Sequence, residues 1–230
     1  MKRLLLALMV LGIVPALAAA TGPLSVESPF QPAKPLSVTD VPIPFSCAVH
    51  GVVVLEAPLS ETRELQRLEV RRDSPCLTPL AVQAIQEWKF SPATYEGEAI
   101  AARMPVIVTF RPPAAIVTPV TLPELRRRSE AAVQAEFQPA EVMHAAFPNY
   151  PYNTVVWGTV VLEVTLGAKG ETEEVQVLRD LTPLTAEAKA VLEQWRFMPA
   201  TFNGHPVRSQ IVLAFVFSPI YTPSPSRRRR

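Results

Sequence analysis

Glycine is scarce in this chain, at 8 of 230 residues, while proline is abundant at 25. No Gly-rich phosphate loop and no G-x-S-x-G turn occurs, so nucleotide-loop and serine-hydrolase chemistry have no motif to stand on. Histidine is as sparse. His50, His144 and His205 share no metal-ligand spacing with carboxylates or cysteines. No catalytic residue, cofactor or metal site is therefore expected. An excess of one charge is also lacking: the formal net charge is +1, which argues against nucleic acid as a general partner. Beyond residue 20 no apolar run approaches the roughly 20 residues of a spanning helix.

The one long apolar run is at the start. Lys2 and Arg3 precede Leu4 to Leu17, which is interrupted by Gly12 and Pro15, and Ala16 to Ala20 offer A-x-A cleavage sites. Residues 1–20 read as a secretory signal peptide, with a periplasmic mature protein as the consequence. The alternative is an uncleaved inner-membrane anchor facing the periplasm. Export gives meaning to the two cysteines, Cys47 and Cys76. An even count in an oxidising compartment favours a disulfide, with two buried free thiols as the alternative.

What the chain does contain is one segment written twice. Gly51 to Phe110 aligns without a gap on Gly158 to Phe217, at a constant offset of 107 and with about a third of positions identical. Two copies of one fold follow from that. In the second copy, Gly158 to Leu166 reads as a strand, Gly167 to Gly170 as a turn, and Glu174 to Arg179 as the paired strand. Thr185 is the expected N-cap of a helix through Gln194, with Ala188, Val191, Leu192 and Trp195 on one face. Asn203-Gly204 marks a turn before a last strand, Ser209 to Phe217. The first copy repeats this order, with Pro58 inside its first strand and Pro105 inside its third, where each removes a ladder donor. The equivalents of Cys47 and Cys76 are Thr154 and Pro183, so a bridge would serve the first copy alone.

The expected fold is α+β: two tandem small domains, each a three-stranded antiparallel sheet packed on a helix. The expected divisions are a Pro-rich linker at 21–46, domain 1 at 47–112, a linker at 113–147 holding a helix from Leu122 to Phe137, domain 2 at 148–219, and a basic tail at 220–230. Trp88, Phe90, Pro92, Trp195, Phe197, Pro199 and Gly204 are read as structural core and turn residues. Arg227 to Arg230 offer a weak contact to anionic lipid, or a solvated end.

The motif Trp195-Arg196-Phe197-Met198-Pro199-Ala200, with Asn203-Gly204-His205-Pro206-Val207 and Tyr150-Pro151, resembles the TonB C-terminal domain family. The first copy resembles it through Gly51, Trp88, Phe90, Pro92, Ala93 and Gly97. The resemblance implies a non-enzymatic binding module whose last strand adds to an extended peptide from an outer-membrane transporter. That places partner contacts on Gln210, Ile211, Val212, Leu213, Ala214 and Phe215, with Tyr150 nearby, and more crudely on Arg103 to Phe110. A long apolar edge of this kind aggregates unless covered. The chain departs from a full energy transducer: residues 4–20 hold no polar coupling residue, 21–46 is short for a periplasm-spanning rod, and Tyr150 lies only eight residues before Gly158. The resemblance therefore implies outer-membrane transport or energy transduction through peptide recognition. The alternative is a periplasmic adaptor whose tandem domains pair with each other or with an envelope protein. Alkylation of exported protein is expected to label no thiol before reduction and both after it.

Overall fold

The computed structural model describes residues 30–40, 43–47, 49–111, 137–151, 154–218 and 220–221. The expected signal peptide, the expected helix as far as residue 136 and the arginine run lie outside them. Six strands form the main sheet: β1 (Gly51–Leu59), β2 (Glu69–Arg72), β3 (Ala102–Arg111), β4 (Gly158–Leu166), β5 (Thr172–Arg179) and β6 (Ser209–Phe217), in the order β5-β4-β6-β3-β1-β2. Each copy contributes three antiparallel strands and one helix, α1 (Thr78–Glu87) or α2 (Leu184–Leu192). The two expected sheets are therefore one sheet. They join through β6 and β3, which run parallel from Val212↔Val106 to Phe217↔Arg111.

Register explains how the copies face one another. Val212 corresponds by the 107-residue offset to Pro105, yet it pairs with Val106. Side chains alternate between faces along a strand, so a one-residue offset puts equivalent positions on opposite faces. Accordingly, α1 lies on the face formed by Val53, Leu55, Val106, Val108, Val161, Val212, Ala214 and Val216. The other face, with Val52, Ile107, Val160, Leu162, Ile211, Leu213 and Phe215, carries α2. The halves are related by a pseudo-two-fold axis along the strands.

Each half-sheet has a helix on one face only, so its other face needs a cover. Residues expected to be linker supply it. Phe30–Gln31 pairs with Ala93–Tyr95, and Pro35–Ser37 with Lys89–Phe90. In the second copy, Phe137–Gln138 pairs with Ala200–Phe202, and Glu141–His144 with Arg196–Met198. The repeat thus begins earlier than the linker readings at 21–46 and 113–147 place it, and Phe137 starts a strand rather than ending a helix. The sequence signal was Phe30-Gln31-Pro32-Ala33, repeated at the same offset as Phe137-Gln138-Pro139-Ala140. From these strands an arm crosses to the opposite copy. Ala33 and Ile43 join the core that holds Val161 and Val212, while Ala140, Val142 and Ala145 join the core that holds Val52 and Ile107.

Locally, the helix starts differ from expectation. Thr185 lies inside α2, where its Oγ1 accepts the Leu181 N–H at 2.8 Å. Thr78 does the same for Ser74 at 2.8 Å. The hydroxyl closes the preceding turn instead of capping the helix. Gly170 (φ 82°) is required by its turn, because a Cβ there would strike the Phe197 carbonyl. The Cys47–Cys76 disulfide is formed and ties the short 3₁₀ turn Phe45–Cys47 to the segment entering α1. Closing a loop of that length is worth about 3–4 kcal/mol in the chain-entropy account.

The shared cores predict one cooperative transition. Urea unfolding, read by fluorescence in variants keeping Trp88 or Trp195 as the buried reporter, should give coincident curves. Phe215→Ala should move both together, by about 3–5 kcal/mol.

Candidate interaction site

The strand expected to offer a free edge is interior. β6 pairs along its whole length with β4, from Ser209↔Leu166 to Phe217↔Gly158, and from Val212 onward with β3 on its other side. Ile211, Val212, Leu213, Ala214 and Phe215 are buried, and Gln210 is half-buried. The physical reason is the one that makes such an edge hazardous: unpaired apolar backbone finds a partner, and the nearest is the equivalent strand of the other copy. Tyr150 does not face an open edge either. Its ring meets Phe217 edge-on with centroids 5.7 Å apart, and its hydroxyl donates to the Val156 carbonyl at 3.0 Å. Trp88, Phe90, Trp195 and Phe197 are buried beneath the helices, Pro92 and Pro199 are half-buried, and Gly204 (φ 77°) sits in the Asn203-Gly204 turn.

The outer edges of the sheet are β2 and β5. Both carry charge: Glu69, Arg71 and Arg72 on β2, and Glu173, Glu174 and Arg179 on β5. Charged edges of this kind resist strand addition.

Across the seam the arms are latched by polar contacts that sequence reading did not find. Asp40 accepts hydrogen bonds from both Arg179 terminal nitrogens, at 2.7 and 2.6 Å, and from the Thr159 N–H at 2.7 Å. Burial alone would raise the Asp40 pKa, but the Arg179 and Thr159 bonds together hold it below the ordinary carboxylate value. Gly158 (φ 135°) leaves room for this approach, because a Cβ there would lie 3.2 Å from the carboxylate. Lys34 Nζ reaches buried Glu163 at 3.0 Å. The equivalent carboxylate, Glu56, is held within its own copy by Arg71 and Arg103 at 2.6 and 2.8 Å.

The second arm is latched at the same end of the seam, where Arg111 pairs with Phe217. Arg111 donates from Nε to the Pro148 carbonyl at 2.7 Å, and from its terminal nitrogen to His50 Nε2. A guanidinium has no acceptor, so His50 takes this bond in its neutral form. Its ring also packs on Phe147 at 5.1 Å. Burial, and then the Arg111 charge, hold the His50 pKa below its ordinary value.

At the other end the seam opens. The parallel ladder begins at Val106 and Val212, immediately after Pro105, which has no N–H. Before it, Ala102 to Pro105 and Ser209 to Ile211 stay paired to β1 and β4 on their outer sides only. Between them lies a cleft of about 830 Å³, lined by Met104, Pro105, Ile211 and Val212 and walled by the arm residues Phe30, Pro32, Phe137 and Pro139. Among the described residues no group of His, Cys, Asp and Glu could hold a metal ion, and none of the arrangements above is nucleophile-and-base geometry.

The family model for the Gram-negative bacterial TonB protein C-terminal matches residues 47–112 and 143–219. Together these segments exceed half the chain, and the chain belongs to that family, with two copies of its domain. The membership indicates a non-enzymatic protein-interaction role in the cell envelope. No curated protein matches the chain.

The latches predict pH behaviour. Unfolded His50 takes up a proton near pH 6.5, whereas the folded residue resists it, so its stabilising contribution is complete above about 6.5. It is lost as pH falls through the lowered folded value. The urea midpoint of wild type should decline on acidification below pH 6.5, and His50→Gln should flatten that decline. Asp40 acts in a lower window, below about 3.8.

Proposed function

We propose that this member of the TonB C-terminal family is a periplasmic adaptor that works as one pre-paired unit and binds an envelope protein through surfaces the two copies build together. The observation that carries this is the parallel pairing of β3 with β6. In the family reading, the last strand is the edge that receives a transporter peptide; here each last strand receives the other. Energy transduction by the chain alone has no support in it, and a part in outer-membrane transport becomes that of an auxiliary protein.

A second reading keeps Gln210 to Phe215 as a peptide edge that becomes available when the seam opens. The unpaired inner side of Ser209 to Ile211 favours it, since opening would start there. The two readings respond oppositely to a weaker seam. Ile107 pairs with Leu213 and is 1% exposed, so Ile107→Ala removes packing worth about 2–5 kcal/mol at the junction. In pull-downs of the mature chain against solubilised envelope proteins, the adaptor reading expects a partner captured by wild type, with Ile107→Ala giving no increase. Increased capture of an outer-membrane transporter by Ile107→Ala would overturn it in favour of the opening edge.

A further inference from the structure

We infer that the cleft at the open end of the seam is a binding site for a short extended peptide segment whose consecutive residues are apolar. The inference rests on the adaptor reading and gives it a location. Four observations converge on the cleft. It continues the established β3–β6 interface: the same two strands that pair from Val106 and Val212 onward face each other unpaired at Ala102 to Pro105 and Ser209 to Ile211. Those tips are held on their outer sides by β1 and β4, so their inner backbone groups are presented by a fixed frame and are not a fraying end. Ser209 Oγ is buried there with no hydrogen-bond partner among the described residues. A buried polar atom left unmatched costs about 1–3 kcal/mol, which a ligand donor or acceptor would recover once the Ser209 side chain turned into the cleft. Finally, its volume of about 830 Å³ lies within the range of ligand-binding clefts, roughly 300–1,000 Å³.

The walls set the chemistry of the occupant. An ordinary sheet edge has one buried and one solvated face, and therefore selects a strand that alternates apolar and polar residues. This cleft has apolar arm residues on each face, beside the ion-paired Arg103, Glu163 and Arg208 of its lining. Phe30, Pro32 and Ala33 come from the first arm, and Phe137, Pro139 and Ala140 from the second. Because the arms belong to opposite faces of the sheet, successive side chains of an inserted segment, which point to opposite faces, would both meet apolar surface. A segment of three or four residues, spanning about 10–13 Å at 3.3 Å per residue, matches the unpaired length of the tips. This differs from addition to the outside of a single last strand: the site exists only because two copies sit side by side, and it selects against an alternating, amphipathic strand.

The probe is a fluorescein-labelled synthetic peptide, Lys-Lys-Val-Ala-Val-Val-Ala-Lys-Lys, titrated against the full mature chain by anisotropy. A second peptide has Asp at alternate central positions. Saturable binding of the first, at least tenfold weaker for the second and for Ala102→Trp, which fills the cleft, is the expected result. Since Ala102→Trp could fail to fold, methyl NMR of wild type is run in parallel. Shifts on adding the probe should appear at Met104 and Ile211 and not at Ile85, on the buried face of α1. Absence of saturable binding, equal affinity for both peptides, or shifts away from Met104 and Ile211 would each overturn the inference. So would a dimer in sedimentation that Ala102→Trp abolishes, because the occupant would then be a second copy. If the probe fails while wild type still captures an envelope protein without enhancement by Ile107→Ala, the adaptor reading stands and only the cleft is lost. If no envelope protein is captured, that reading fails whatever the probe does.

Discussion

Everything in this fold follows from the incompleteness of a three-stranded sheet with a single helix. Such a unit can bury one face and satisfy the outer strand pairs, but it leaves one face bare and one apolar edge unpaired. Each copy here supplies what the other lacks. The last strands satisfy one another's backbone along the seam, and the arms cover one another's bare faces. The helices are then forced to opposite sides, because the odd register offset leaves no other way for both bare faces to meet an arm.

The exchange is symmetric in plan and asymmetric in chemistry. The first arm is fixed by a carboxylate, Asp40, gripped by Arg179 and the Thr159 amide. The second is fixed through Arg111 and a neutral His50. One latch weakens with strong acid and the other with mild acid, so the two arms, held at one end of the seam, differ in what loosens them. The disulfide adds a third difference, bracing only the first copy.

The strands, turns and helices were legible because their signals are local: two-residue alternation, Asn-Gly and Gly turns, and a three-to-four-residue apolar stripe over Ala188 to Trp195. The disulfide was legible from compartment and parity. The seam was not, because pairing between two strands a hundred residues apart leaves no local mark on turn chemistry. One sign was available. Ile211 to Phe217 is apolar without alternation, the pattern of a strand covered on both faces, as parallel neighbours are. An edge strand with a solvated side would have alternated. The arms were hidden for a different reason. Proline-rich composition suggests a linker, yet short edge pairings tolerate proline, and Pro35 pairs with Phe90. The departures from expectation at Gln210 to Phe215 and at 30–44 thus have one source: each belongs to an interaction between copies.

Joining the two copies in one polypeptide alters the arithmetic of their association. Between separate chains, strand pairing of this kind would depend on concentration, and dilution would expose the apolar edges. Within one chain it is unimolecular, set by an effective concentration that dilution cannot lower. It also frees the halves from identity. In a homodimer any change at a pseudo-symmetric position is made twice; here Pro105 can stand opposite a seam whose counterpart position is Val212, and a cysteine pair can be acquired on one side alone. The open end of the seam bears the mark of that freedom, since the proline before the ladder stands in one copy alone.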